Sequence, residues 1–193
     1  MAISARERRI ALAAQARQEL EALEAAGARM AGNGYSPILL VKGDLNEAER
    51  SGGDLLAGVD GQALRAALDA IGWAPEDFCA LATVAGAGDG TGPVAAGEPL
   101  PTETLREAVE ALDPEAVVLL DAAAADAFRA AYDDELSAIE DAGAAALTPG
   151  IVASVLGRRM LALPGFEASL SDAHAKQVCW AYLKQLKPLG APY

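Results

Sequence analysis

Residues 38–52, ILLVKGDLNEAERSG, place three carboxylates, Asp44, Glu47 and Glu49, just behind an apolar run. A carboxylate at such a position can orient or deprotonate an attacking water, or ligate magnesium with a phosphate bridging to it. The same acids also suit the N-terminus of a helix, where they simply face solvent. Their spacing fixes no metal geometry, and no metal site is expected. A second stretch, GAGDGTGP at 86–93, invites comparison with phosphate-cradling loops. A P-loop ends in Gly-Lys-Ser/Thr, and a dinucleotide fingerprint runs G-x-G-x-x-G straight into a helix. Here Gly86, Gly88, Gly90 and Gly92 alternate strictly, Thr91 stands where the third fingerprint glycine would fall, and no helix follows at once. The stretch reads as a mobile lid loop.

The other reactive residue types are sparse. His174 is the single histidine and falls in the first turn of a closing helix, with no Ser or Cys pairing evident, so neither a catalytic triad nor a zinc site is supported. Cys79 and Cys179 read as two small buried side chains of a reduced, cytoplasmic protein. Trp73 and Trp180 sit at a helix end and on a helix face, where packing is the ordinary role.

These residues need elements to position them. Continuous apolar runs at 38–41, 77–84, 116–120 and 159–163 have strand length, and amphipathic patterns alternate with them. A long helix is expected over 4–26. A second, capped by Asp60, carries Leu64, Leu68 and Ile71 and stops at Gly72. A third starts at Thr102 or Thr104, with Thr104 and Glu107 at capping-box spacing and Leu105, Val109 and Leu112 inward. Asp121 caps a fourth bearing Phe128 and Tyr132, and the last covers about 171–186 with Cys179, Leu183 and Leu186 inward. Apolar strands alternating with such helices predict a three-layer α/β/α sandwich around a four-stranded, mainly parallel sheet. The expected organisation is an N-terminal helix, 1–30, packed on one α/β domain, 31–193. Ligands of such sheets bind beyond the carboxyl ends of the strands, here the loops 42–49, 85–93, 121–123 and 164–167.

Charge limits the partners. The chain carries a net −13, and residues 103–141 hold twelve acids against two basic residues. That field repels DNA, whose binders need lysine and arginine to displace counterions. It suits a basic protein partner instead. Residues 142–193 are net +3, so Arg158 and Arg159, with Lys176, Lys184 and Lys187, are the candidates for a residual nucleic-acid contact. No run of about eighteen apolar residues is present to span a membrane.

The stretch from Ile38 to Val84 resembles the first half of the uracil-DNA glycosylase superfamily, above all its bacterial iron–sulfur branch. There a strand ends in GEAPG, an acidic stretch and R-S-G follow, and G-x-x-G-Q-L-L opens a helix. The matching residues are Gly43-Asp44, Glu47-Ala48-Glu49-Arg50-Ser51-Gly52 and Gly58-Val59-Asp60-Gly61-Gln62-Ala63-Leu64. Downstream, LPTETLREAVEALDPEAVVLLD is similar to the family's P-T-x-E-E helix and following strand, and LALPGFEASL…WAYLKQL to its strand–H-P-S–helix close. The resemblance spans roughly residues 34–187. It implies base flipping, an aromatic stacking platform, a water positioned after the first strand and a histidine stabilising the departing uracil anion.

Carried over by position, the family's catalytic set is missing. GEAPG has become Lys42-Gly43-Asp44-Leu45-Asn46, leaving Asp44 as the candidate catalytic acid. The base-reading asparagine falls at Ala82 or Thr83, the glycine after the third strand at Asp121, and the histidine of H-P-S at Leu163, with Pro164 retained. The cluster cysteines are absent, so no cofactor is expected. The candidate pocket is Gly43, Asn46, Glu47, Phe78, Thr83, Asp121, Leu163 and Pro164. The expectation is a glycosylase-like protein without family-type catalysis, acting as a non-catalytic binding protein. Two alternatives stand beside it: a glycosylase of altered specificity using Asp44, and a hydrolase of a small nucleotide-like substrate.

Overall fold

The apolar runs form strands buried on both faces, which is why they read as continuous rather than alternating. The computed structural model describes residues 5–74, 78–86 and 94–189, with side chains before residue 14 and at 16 excluded. In chain order the strands are β1 (Met30–Gly32), β2 (Ile38–Lys42), β3 (Phe78–Ala82), β4 (Ala116–Leu119), β5 (Val152–Val155) and β6 (Arg158–Ala162). The helices are α1 (Ala5–Ala25), α2 (Glu47–Arg50), α3 (Val59–Ile71), α4 (Thr102–Leu112), α5 (Ala122–Ala131), α6 (Asp133–Ser137), α7 (Ala142–Ala145), α8 (Phe166–Ser169) and α9 (Ala173–Leu183).

Among the described residues the sheet has six strands, not the four expected, in the order β1-β3-β2-β4-β6-β5. The four expected strands make the parallel centre, and β1 and β5 add antiparallel edges against β3 and β6. Along β2, Leu39 and Val41 face one core with Leu105 and Val109 of α4 and Phe128 of α5. Ile38 and Leu40 face the other, with Leu64 and Leu68 of α3 and Cys179 and Leu183 of α9. The result is a three-layer α/β/α arrangement around a mixed sheet. Leu23 of α1 is buried in the first core and Leu20 packs against it.

Two local expectations need correction. Helix α3 begins after Gly58, and Asp60 is buried inside its first turn rather than capping it. Helix α4 follows Pro101 with no side-chain cap, so Thr104 and Glu107 form no capping box. The box is found instead at Asn46 and Glu49, around α2. Asp121 does cap α5, accepting from the Ala124 N–H at 2.8 Å. The glycine loop at 87–93 lies outside the described residues.

Candidate functional site

From β2 the chain crosses to β3 on one side and returns to β4 on the other, so the sheet's switch point lies between β2 and β4. A cavity of about 330 Å³ opens there. Leu45, Leu56, Leu120 and Phe166 give it apolar walls, and Lys42, Asp44, Asp60, Asp121 and Glu167 line it with charge. A larger cleft of about 760 Å³ lies on the other side of the β2 turn, between Arg29, Asp44, Ser51 and Gly86. Both fall in the size range of small-ligand sites.

The β2 turn is held by Asp121. Its Oδ2 accepts from the N–H groups of Gly43 at 2.9 Å and Asp44 at 3.1 Å, while Oδ1 caps α5. This draws the turn so close to α5 that a Cβ on Gly43 would sit 2.5 Å from Ala124 N. Glycine is therefore a steric requirement there.

Lys42 ends β2 on the side of Ile38 and Leu40, so its side chain enters the α3 layer. Its Nζ lies 2.7 Å from Glu49 Oε2, 2.7 Å from Asp60 Oδ2 and 2.6 Å from Glu167 Oε2. An ammonium has three donors, and three carboxylates take them. Burial alone would push the Lys42 pKa down, but hydrogen bonds to Asp60, Glu167 and Glu49 outweigh it and hold the pKa above the ordinary lysine range. Lys42 is thus a fixed cation and a poor nucleophile. Glu49 and Asp60 are buried, whereas the Glu167 side chain is 43% exposed.

The carboxylates are also tied to backbone. Glu49 accepts from the N–H of Asn46 and of Leu56, both at 2.9 Å, and Asp60 accepts from Gly61 N–H at 2.9 Å. Leu56 has a φ of 55°, an uncommon conformation for a bulky residue, and Glu49 holds its amide there. The ligand atoms of Glu49, Asp60 and Glu167 lie within 4.8 Å of one another, a donor set suited to a hard cation. Lys42 Nζ occupies the centre of that set.

The candidate pocket residues divide. Gly43, Asp44, Asn46 and Asp121 do come together at the switch point. Asp44 borders both cavities, its side chain 77% exposed and paired with Arg50 at 3.1 Å. The Asn46 carbonyl oxygen accepts from Glu49 N–H at 3.0 Å as the cap of α2, which leaves its NH2 as the uncommitted end. Glu47 is exposed and borders only a shallow neighbouring depression.

The others line neither cavity. Phe78 opens β3 at the opposite edge of the sheet, roughly 13 Å from the strand's other end. Its ring lies under the Arg65 guanidinium at 4.6 Å. Thr83 is buried, and its N–H donates to Lys42 O. Leu163 is buried in the core and lines neither cavity, and Pro164 is exposed. Arg158 and Arg159 also begin a strand, so they too lie at the far edge. Arg158 is buried and pairs with Glu110 at 2.8 Å and Asp113 at 2.9 Å; Arg159 pairs with Glu115. Both arginines offered for a nucleic-acid contact are therefore paired with acids of the fold. His174 is exposed on the first turn of α9, and Trp73 donates its indole N–H to Leu186 O at 2.7 Å.

Sequence reasoning placed Lys42, Phe166 and Glu167 in site-bearing loops without giving them a role, and read Asp60 only as a helix cap. A lysine closing an otherwise apolar five-residue strand was the available signal, because a buried ammonium requires acids around it. The identity of those acids was hidden, since Glu167 is 125 residues away. Compared with models of known protein families and with curated proteins, the sequence matches none.

Proposed function

We propose that this chain is a uracil-DNA glycosylase-like α/β protein that binds at its sheet edge without family-type catalysis. The observation that carries the reading is the commitment of the charged groups there. Lys42 is saturated by three carboxylates, and Asp121 accepts from three backbone amides. These groups hold loops in place and are not aimed at a reacting atom. Leu163, where the resemblance calls for a leaving-group histidine, is packed in the core. Losing one preorganised donor to a developing anion costs roughly 2.7–4 kcal/mol, a hundred- to thousand-fold in rate. The acidic field opposes a DNA substrate further.

A second reading has one observation in its favour. Asp44 stands exposed at the rim of both cavities, where it could orient water for a glycosylase of altered specificity. Incubating excess protein with single- and double-stranded oligonucleotides containing uracil or hypoxanthine separates the two. The proposal predicts no abasic sites. Base release abolished by Asp44→Ala would replace it with the second reading.

A further inference from the structure

We propose that the groove between α1 and α4 is a docking surface for a basic, amphipathic helix of a partner protein. The two helices lie side by side and leave an open cleft of about 780 Å³. Its floor is Ala22, Leu23, Ala26 and Ala111. Small side chains there let another backbone approach closely, as a seated helix requires. The lining runs from residue 19 to 26 on α1 and 103 to 111 on α4, roughly 10–12 Å at helical rise, or about two turns.

The rim has one sign of charge. Glu19, Glu103 and Glu107 border the floor and are exposed. Among the described residues, no cation pairs with Glu103 or Glu107. Arg106, the one cation lining the cleft among the described residues, is turned to Glu135 and the Ala131 carbonyl and lies over the Tyr132 ring at 4.9 Å. Glu110 is taken by Arg158. Glu103 and Glu107 are therefore like charges at i,i+4, an arrangement that destabilises a helix. Among the described residues no cation offsets that repulsion. Lysines or arginines at i,i+4 on a docked helix would meet both glutamates and turn the repulsion into attraction, while alanines or serines on the same face would settle on the floor. Nucleic acid is the wrong sign for this surface.

The proposal rests on the reading of the chain as an interaction protein, but its test involves no residue of the sheet-edge pocket, so the two can fail separately. The probe is a fluorescent, alanine-rich helical peptide of about fourteen residues with lysines at i,i+4 on one face. A second peptide has the same composition, with its lysines distributed around the helix. Anisotropy titrations with the full chain in about 0.1 M salt should show saturable binding of the first peptide, at least about tenfold tighter than the second. The double reversal Glu103→Lys/Glu107→Lys, with its fold checked by circular dichroism, should weaken binding at least as much, whereas Asp69→Lys, on the exposed face of α3 in the opposite layer, should not. Equal binding of both peptides, or indifference to the double reversal, overturns the proposal. A concentration-dependent dimer abolished by the same reversal also overturns it, in favour of a second copy of the chain.

Discussion

At the scale of single residues, burial decides what each reactive group can do. Cys79 is held in the core beside Leu39 and Leu81, and burial pushes its thiol up to about 12 from an ordinary value of 9.0. Cys79 and Cys179 are both free and buried. The raised pKa has a thermodynamic consequence. The folded state keeps the Cys79 proton after the unfolded chain has released it. Its contribution to stability is therefore complete below about pH 9 and falls as pH rises from 9 toward 12, by up to about 1.4 kcal/mol per pH unit. Tyr132, whose phenol is also pushed up by burial, and Lys42, whose ammonium is held by acids, add to the loss only at higher pH. Urea unfolding at pH 8, 9 and 10 should show the decline beginning above 9, and Cys79→Val should flatten it between 9 and 10. A pH-independent wild type over that range would show that the thiol is not shielded.

At the scale of elements, the central strands were legible because strands buried on both faces read as unbroken apolar runs. The edge strands were not. β1 is three residues, Met-Ala-Gly, with little strand propensity, and it exists because β3 offers it a hydrogen-bonding edge. β5 is joined to β6 by Leu156-Gly157, both at positive φ (49° and 82°), with Val155 paired to Arg158. That is the pattern of a type I′ hairpin, for which Asn-Gly is the usual signal and Leu-Gly is a disguise. Leu156 is also 54% exposed, so its side chain contributes little packing there. Leu156→Asn should therefore stabilise the protein by about 0.5–1 kcal/mol, because asparagine tolerates the left-handed region that leucine resists. A thermal melt checks the direction, and a lowered midpoint would mean that the leucine packs in a way its exposure does not reveal. The candidate site divided along the same line. Gly43, Asp44, Asn46 and Asp121 were found from their place behind strands, whereas the Lys42 cluster depends on contacts between α2, α3 and α8 that no local pattern announces.

At the scale of the whole molecule, charge has two uses. Within the fold, acids surround the few buried cations: Lys42 at the carboxyl edge of the sheet, Arg158 at the other. Outside it, the excess acid is concentrated on the α4 side, where Glu103 and Glu107 face open solvent. The first use fastens loops to the sheet, and the second is the surface on which the proposed docking of a basic helix rests. Among the described residues no helix is long and apolar enough to cross a membrane.

The account turns on Lys42 being a fastening and not a chemical group. Urea unfolding of Lys42→Met beside wild type at pH 7 addresses this most directly. Removing the ammonium leaves Glu49 and Asp60 buried and unpaired, which should cost about 3–5 kcal/mol. Glu167→Gln, touching only the exposed partner, should cost under about 1 kcal/mol. A Lys42→Met protein as stable as wild type, or more stable, would contradict the account, since it would mark the cluster as a strained site kept for activity.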